Sequence, residues 1–191
     1  MPGQDLKFGA TVLQNLPELP DGMKQFWIEH PLPLQEALGV LCTRPGAKSG
    51  NVYPLSVDYG RSVEDAVKAG RYNWSNSNIT SSNFTTKRKG AAEIVIEAVH
   101  FNREISTDEA IRELDKMGYR PVELHELLTL GEKYPDVQLQ FLVVGLGSVW
   151  QGPDGSRDVP YLGRSGAGRH LDLSWIESDW SGICRFAAVR K

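Results

Sequence analysis

In the run Arg169-His170-Leu171-Asp172-Leu173-Ser174-Trp175, polar and apolar side chains alternate without a break from His170 onward. A period of two fits an extended strand with one dry and one wet face, and rules out a helix over the same stretch. Alternation sets His170, Asp172 and Ser174 outward and Leu171, Leu173 and Trp175 inward as anchors. The surrounding segment 147–191 holds seven Gly, six Ser and three of the five Trp of the chain. Ordering so much Gly and Ser is entropically expensive unless large side chains pin the backbone. Trp150, Leu162, Trp175, Trp180, Phe186 and Val189 are expected to pin it. Gly163, Ser165, Gly166, His170, Asp172, Ser174, Ser178, Asp179 and Ser181 are then display positions on largely irregular backbone. On this reading Trp175→Ala should cost several kcal/mol, as loss of a buried aromatic does.

The rest of the chain shows short elements with clear ends. A chain of 191 residues carrying 40% hydrophobic and 24% charged residues is an ordinary globular composition, read as a single domain over 1–191. The formal net charge of -3 leaves no basic field for nucleic acid or an anionic membrane. Residues 1–60 read as short extended pieces broken by proline, with a short helix or strand within 32–42. Residues 52–59 suggest an edge strand, because Pro54 cannot donate to a ladder. Ser62 opens a short helix that Gly70 stops. The polar run 71–90 is a long loop, and Lys87-Arg88-Lys89 within it is a solvated corner. Residues 91–101 form a β-branched central strand. Ser106 and Glu109 make a capping box for a helix over 106–117, with Ile111, Leu114 and Met117 inward. Pro121 opens a second helix that closes near Gly131. Residues 138–149 read as a buried strand interrupted by Gly145 and Gly147, and the chain runs irregularly from a turn at 150–155 to Gly168.

Catalytic and metal-binding patterns are missing. The histidines stand at 30, 100, 125 and 170 with no pair at ligand spacing, and His125-Glu126 lacks the second His of an HExxH helix. His170 and Asp172 on one strand face are too few to hold a cation. GLGS at 145–148 lacks the Lys of a phosphate loop and reads as a packing device. No catalytic residue, metal or cofactor is expected. Cys42 and Cys184 make no disulfide framework and are read as unpaired thiols, a single bond between them being the alternative. Residues 1–20 carry no secretory pattern, and the longest apolar stretch, 141–149, is too short for a membrane span.

The stretch LGSVWQGPDGSRDVPYLGRSGAGRHLDLSWIESDWSGICRFAAVRK resembles the C-terminal variable region of proteins diversified by diversity-generating retroelements. There a framework of Trp, Leu and a closing Arg-Phe-x-x-Val-Arg alternates with positions encoded as Asn codons in a template copy. No Asn remains in 147–191 although Asn occurs repeatedly before it. The resemblance implies an α+β, C-type lectin-like fold of the branch similar to formylglycine-generating enzymes, with two short helices and irregular mixed or antiparallel sheets. It implies a variable region over 147–191. The binding positions would be Tyr161, Gly163, Ser165, Gly166, Gly168, His170, Asp172, Ser174, Ile176, Ser178, Asp179, Ser181 and Cys184. The scaffold would be Trp150, Leu171, Leu173, Trp175, Trp180, Arg185 and Phe186. The partner would be a protein or glycan, met after cytoplasmic synthesis with display on a virion or cell surface. A structural component of such an assembly, with no variable site, is the alternative; it should keep aromatic anchors on its outer face.

Overall fold

The computed structural model describes residues 51–191; the readings made for 1–50, including 32–42 and Cys42, lie outside the described residues. The described part is α+β. Nine strands form one sheet in the order β1-β3-β9-β5-β7-β8-β2, with β4 added beside β9 and β6 beside β7. The strands are β1 (Val52–Asp58), β2 (Trp74–Ser75), β3 (Ala91–Val99), β4 (Tyr119–Pro121), β5 (Leu142–Val144), β6 (Trp150–Gln151), β7 (Arg157–Ser165), β8 (Gly168–Trp175) and β9 (Cys184–Arg190). Pairing is antiparallel except where β5 meets β9 and β2 meets β8. The helices are α1 (Val63–Gly70), α2 (Thr107–Lys116), α3 (Leu124–Lys133) and the single turn α4 (Val137–Gln140). None of these helices is long and apolar enough to cross a membrane.

Both sheet faces carry a core. On the first face, Ile96, Leu162 and Leu171 pack with Leu127, Leu128 and Leu130 of α3 and Val63 of α1. On the second, Val144, Val159 and Phe186 pack with Ala110 and Leu114 of α2 and with Ile176 and Trp180 of the loop after β8. Thr107 holds that loop down: its hydroxyl donates to the Ile176 carbonyl at 2.6 Å and accepts from Trp180 Nε1 at 2.8 Å. Trp180 and Ile105 exchange backbone hydrogen bonds, and the indole meets the Phe186 ring edge-on at 6.2 Å.

Local chemistry sets the helix ends. Ser62 Oγ accepts from Asp65 N, and Arg71 closes α1 in the left-handed region at φ 49°. Ser106 Oγ accepts from Glu109 N at 3.3 Å, but Glu109 turns to Arg103 instead of completing the box. Met117 follows the last turn of α2 and is exposed, because the helix ends before its side chain can turn inward. Pro121 does not open α3. It lies in β4 opposite Ala188, and the helix starts only after Glu123. A proline's φ suits an edge strand as well as a first helical turn, and pairing with β9 decides between them.

The stretch 138–149 is also not one strand: α4 occupies its start and only Leu142–Val144 pairs. Gly147 then passes so close to the chain that a methyl there would stand 2.4 Å from the Val122 carbonyl oxygen. The largest difference lies in 157–175, which is an antiparallel hairpin with Tyr161 opposite Asp172 and Ser165 opposite Gly168. Pro160 and Gly163, poor strand formers, conceal β7 in the sequence.

Glu126 is fully buried. Arg120 pairs with both its oxygens, Tyr59 donates at 2.6 Å and the Glu123 N–H at 2.7 Å. Burial pushes its pKa up, yet the hydrogen bonds from Arg120, Tyr59 and Glu123 outweigh this and hold it below the ordinary value. The same environment raises the Tyr59 hydroxyl, by burial first and then by Glu126, to about 12. A depressed carboxylate adds stability above its unfolded pKa and loses it as pH falls through the folded one. Glu126→Gln should therefore cost about 3 kcal/mol in urea titrations near neutral pH. The gap to the parent should narrow as pH drops below 4.5, the ordinary value for this group. In the same assay Trp180→Ala should cost about 3–5 kcal/mol.

Candidate functional site

The second face of the sheet is covered over its middle, Val159 of β7 included, and opens toward the hairpin end of β7 and β8 and over β2. Register places Tyr161 beside Asp172, Gly163 beside His170, and Trp74 beside His170 from the other side. Tyr161, His170 and Asp172 are each half-buried, and Trp74 is 46% exposed. The Trp74 and His170 rings stand 5.7 Å apart, tilted at 51°. Asn76 Nδ2 donates to Asp172 Oδ1 at 2.9 Å, the Leu173 N–H to the same oxygen at 2.7 Å, and the Tyr161 hydroxyl to Oδ2 at 3.2 Å. Burial, then the Asp172 carboxylate, raises the Tyr161 hydroxyl above its usual pKa, so it stays a neutral donor. The patch thus offers an indole face, an imidazole and a carboxylate already fixed by three donors.

The patch is rigid because its strand is clamped from the other face. Arg169, on β8 between Gly168 and His170, points toward the helices. Its guanidinium donates to the Gly70 carbonyl at 2.6 Å, to the Gly131 carbonyl and to Gln138 Oε1, and lies 4.9 Å from the Tyr72 ring centroid. Gln138, itself buried, donates to the carbonyls of Gly163 and His170 at 2.7 and 2.9 Å, one on each strand of the hairpin. Gly131 is not the end of α3, which runs on to Lys133. A methyl there would stand 2.2 Å from the Tyr72 hydroxyl.

Ser165, Gly166 and Gly168 form the hairpin end, with Ser165 and Gly166 exposed and Gly168 half-buried. Gly166 has φ 57° with open space around it, so a side chain there has room but a strained backbone. Ser174 is half-buried toward the covered end of the face, and Ser178, Asp179 and Ser181 ride on the loop over the second core, away from the hairpin strands.

Three expected display positions are internal. Ile176 is 9% exposed and Cys184 5% exposed, both in the second core: the loop after β8 folds Ile176 back over the sheet, and Cys184 opens β9 opposite Leu142. Burial raises the Cys184 thiol, which suits a packed residue. Gly163 is buried as well, and a methyl there would approach the Tyr161 ring to 3.0 Å.

Among the scaffold residues, Leu171, Trp180 and Phe186 are buried, and Trp150 and Leu173 pack half-buried on the first core. Arg185 lies over the Phe141 ring at 4.6 Å. Trp175 is the exception: it points to the inward face as alternation requires, but no helix reaches it and it is 54% exposed. Its truncation should cost less than about 1 kcal/mol, not several. Trp74 and Asn76 join the patch without having been singled out. A tryptophan within the mostly polar run 71–90 is the one signal for it.

No family model, curated protein or solved structure matches this chain. Among the described residues no three His, Cys, Asp or Glu side chains are grouped to hold a metal ion. The clamp generates a prediction. Arg169→Ala leaves two helix-end carbonyls and Gln138 without their donor, so it should destabilise by about 3 kcal/mol or more. Arg169→Lys should recover only part of that in chemical denaturation, since one ammonium cannot reproduce the planar fork.

Proposed function

We propose that this chain is a ligand-binding protein whose β7–β8 hairpin presents a diversified face on a C-type lectin-like scaffold, as its likeness to retroelement variable regions implies. The observation that carries the reading is the arrangement of Tyr161, His170 and Asp172 with Trp74. They share one open sheet face, and the strand beneath them is fastened by Arg169 and Gln138 on the other. Such a face has met its ordering cost before a ligand arrives. Tyrosine and tryptophan supply contact area while Ser and Gly at the hairpin end accept many replacements. The partner is a protein or a glycan, taken without catalysis.

The burial pattern narrows the set of positions free to vary. Tyr161, Ser165, Gly168, His170, Asp172 and Ser174, with the loop positions Ser178, Asp179 and Ser181, carry the binding role. Gly166 has room but a strained backbone. Gly163, Ile176 and Cys184 tolerate only small or apolar residues.

The assembly alternative draws support from one observation. Exposed apolar side chains persist off the patch, Ile183 at 72% and Trp175 at 54% exposure. Sequencing the locus in many isolates separates the two readings. The binding reading expects a neighbouring reverse-transcriptase gene and a near-copy of the tail differing at adenines. Substitutions should be concentrated at His170, Asp172, Ser165 and Gly168, with Leu162, Leu171 and Phe186 unchanged. Uniform conservation of the patch, or changes spread evenly over core and surface, would sink it. In the purified protein, His170→Ala with Ser165→Tyr should move the melting temperature by no more than about 4 °C, because neither position is in the core.

A further inference from the structure

Trp150, Asp158 and Trp175 lie in one row across β6, β7 and β8, on the face opposite the display patch. Asp158 is the Cα partner of Trp150 on one side and of Trp175 on the other. Register partners point to the same side of a sheet, and neighbouring strands stand about 4.8 Å apart, which separates the two tryptophan Cα atoms by about 10 Å. Trp150 rests half-buried on the first core, whereas Trp175 is 54% exposed and the Asp158 side chain lies between them.

A turn of the chain adds a second carboxylate. Ser156 Oγ lies 2.7 Å from Asp154 Oδ1 and 3.2 Å from Asp158 Oδ2, so one hydroxyl proton serves two acids. A methyl on Gly152 would sit 2.8 Å from Asp154 Oδ1 and from Ser156 Oγ, and 3.7 Å from Trp150 Cη2. The acidic turn therefore borders the Trp150 ring. Among the described residues no Lys or Arg makes an ion pair with Asp154 or Asp158. Arg157 between them turns to the other face, to Glu177 at 2.6 Å.

We propose that this row is a clamp for an arginine side chain of a partner protein. The guanidinium slots between the indoles of Trp150 and Trp175, and its N–H edge meets Asp158 and Asp154. Two tryptophans and two carboxylates share this side of the sheet, and among the described residues no Lys or Arg makes an ion pair with either acid. A tryptophan left open on a soluble surface loses nothing by being covered, and a cation over its ring gains from the ring quadrupole. Guanidinium fits better than ammonium because it is flat, weakly hydrated and presents a fork of donors to paired acids. The clamp is independent of the display patch: its residues are on the other face, and it requires no diversification.

The test uses the full chain labelled with nitrogen-15 and follows the indole N–H signals while the peptide acetyl-Gly-Arg-Gly-amide is added. The Trp150 and Trp175 signals should shift together and saturably. The same peptide with citrulline, which keeps the shape without the charge, should leave them in place, and the lysine peptide should bind more weakly. Asp158→Asn should weaken the arginine peptide about tenfold, and Trp175→Ala should abolish the response of Trp150. Should Asp158→Asn fail to fold, Asp154→Asn, an exposed position, is expected to weaken binding in the same direction. An equal response to citrulline, full affinity in both Asp variants, no shift at millimolar peptide, or a shift confined to Trp74 each overturns the clamp.

Discussion

The structure depends on one guanidinium. Arg169 reaches from the start of β8 to the last carbonyl of α1, a carbonyl in the final turn of α3, and the Gln138 amide. The C-terminal ends of helices expose unpaired carbonyls and carry partial negative charge, so a half-buried cation is the natural partner for two of them at once. Gln138 extends the arrangement to both strands of the hairpin. Gly70 and Gly131 leave the space through which the Tyr72 ring passes to cover the guanidinium. Remove the cation, and three elements lose their common point.

This explains why the hairpin can afford an open face. A two-stranded ribbon is marginal in water by itself. Here β7 is held by β5 along one side and the hairpin by Arg169 and Gln138 from beneath, so the second face owes nothing to what covers it. The half-buried Tyr161 and Asp172 satisfy each other and Asn76, which fixes their rotamers without sealing them off. The two ends of β8 serve different surfaces. His170 and Asp172 look one way, and Trp175, past the rim of the helix layer, looks the other.

Much of this was legible in the residues, and the exceptions have physical causes. Ser62 and Ser106 marked two helices because a hydroxyl before an acidic turn has few other uses, and the period-two runs marked β3 and β8. β7 was hidden by Pro160 and Gly163, whose local preferences are overridden by strands on both sides. Pro121 fits a strand edge as readily as a helix start, and only the long-range pairing with β9 distinguishes them. Alternation gave the right face for Trp175 but not its burial, which depends on where the helices stop. The contributions of Trp74 and Asn76 come from β2, a two-residue strand, and no periodicity can be read from two residues.

The position of β9 has a consequence for how the chain reaches this state. It stands latest in sequence among the described strands, yet it lies between β3 and β5, takes β4 along its other half and carries Phe186 in the second core. Until it docks, β1 and β3 form one sheet fragment and β5, β7 and β8 another, with no strand pairing to join them. Closure requires contacts between residues about 90 positions apart, as Ile96 and Val189 are. Such non-local pairing slows folding and leaves strand edges open in the meantime. A chain in which β9 has not docked thus presents two unpaired strand edges, those of β3 and β5, to any other strand it meets.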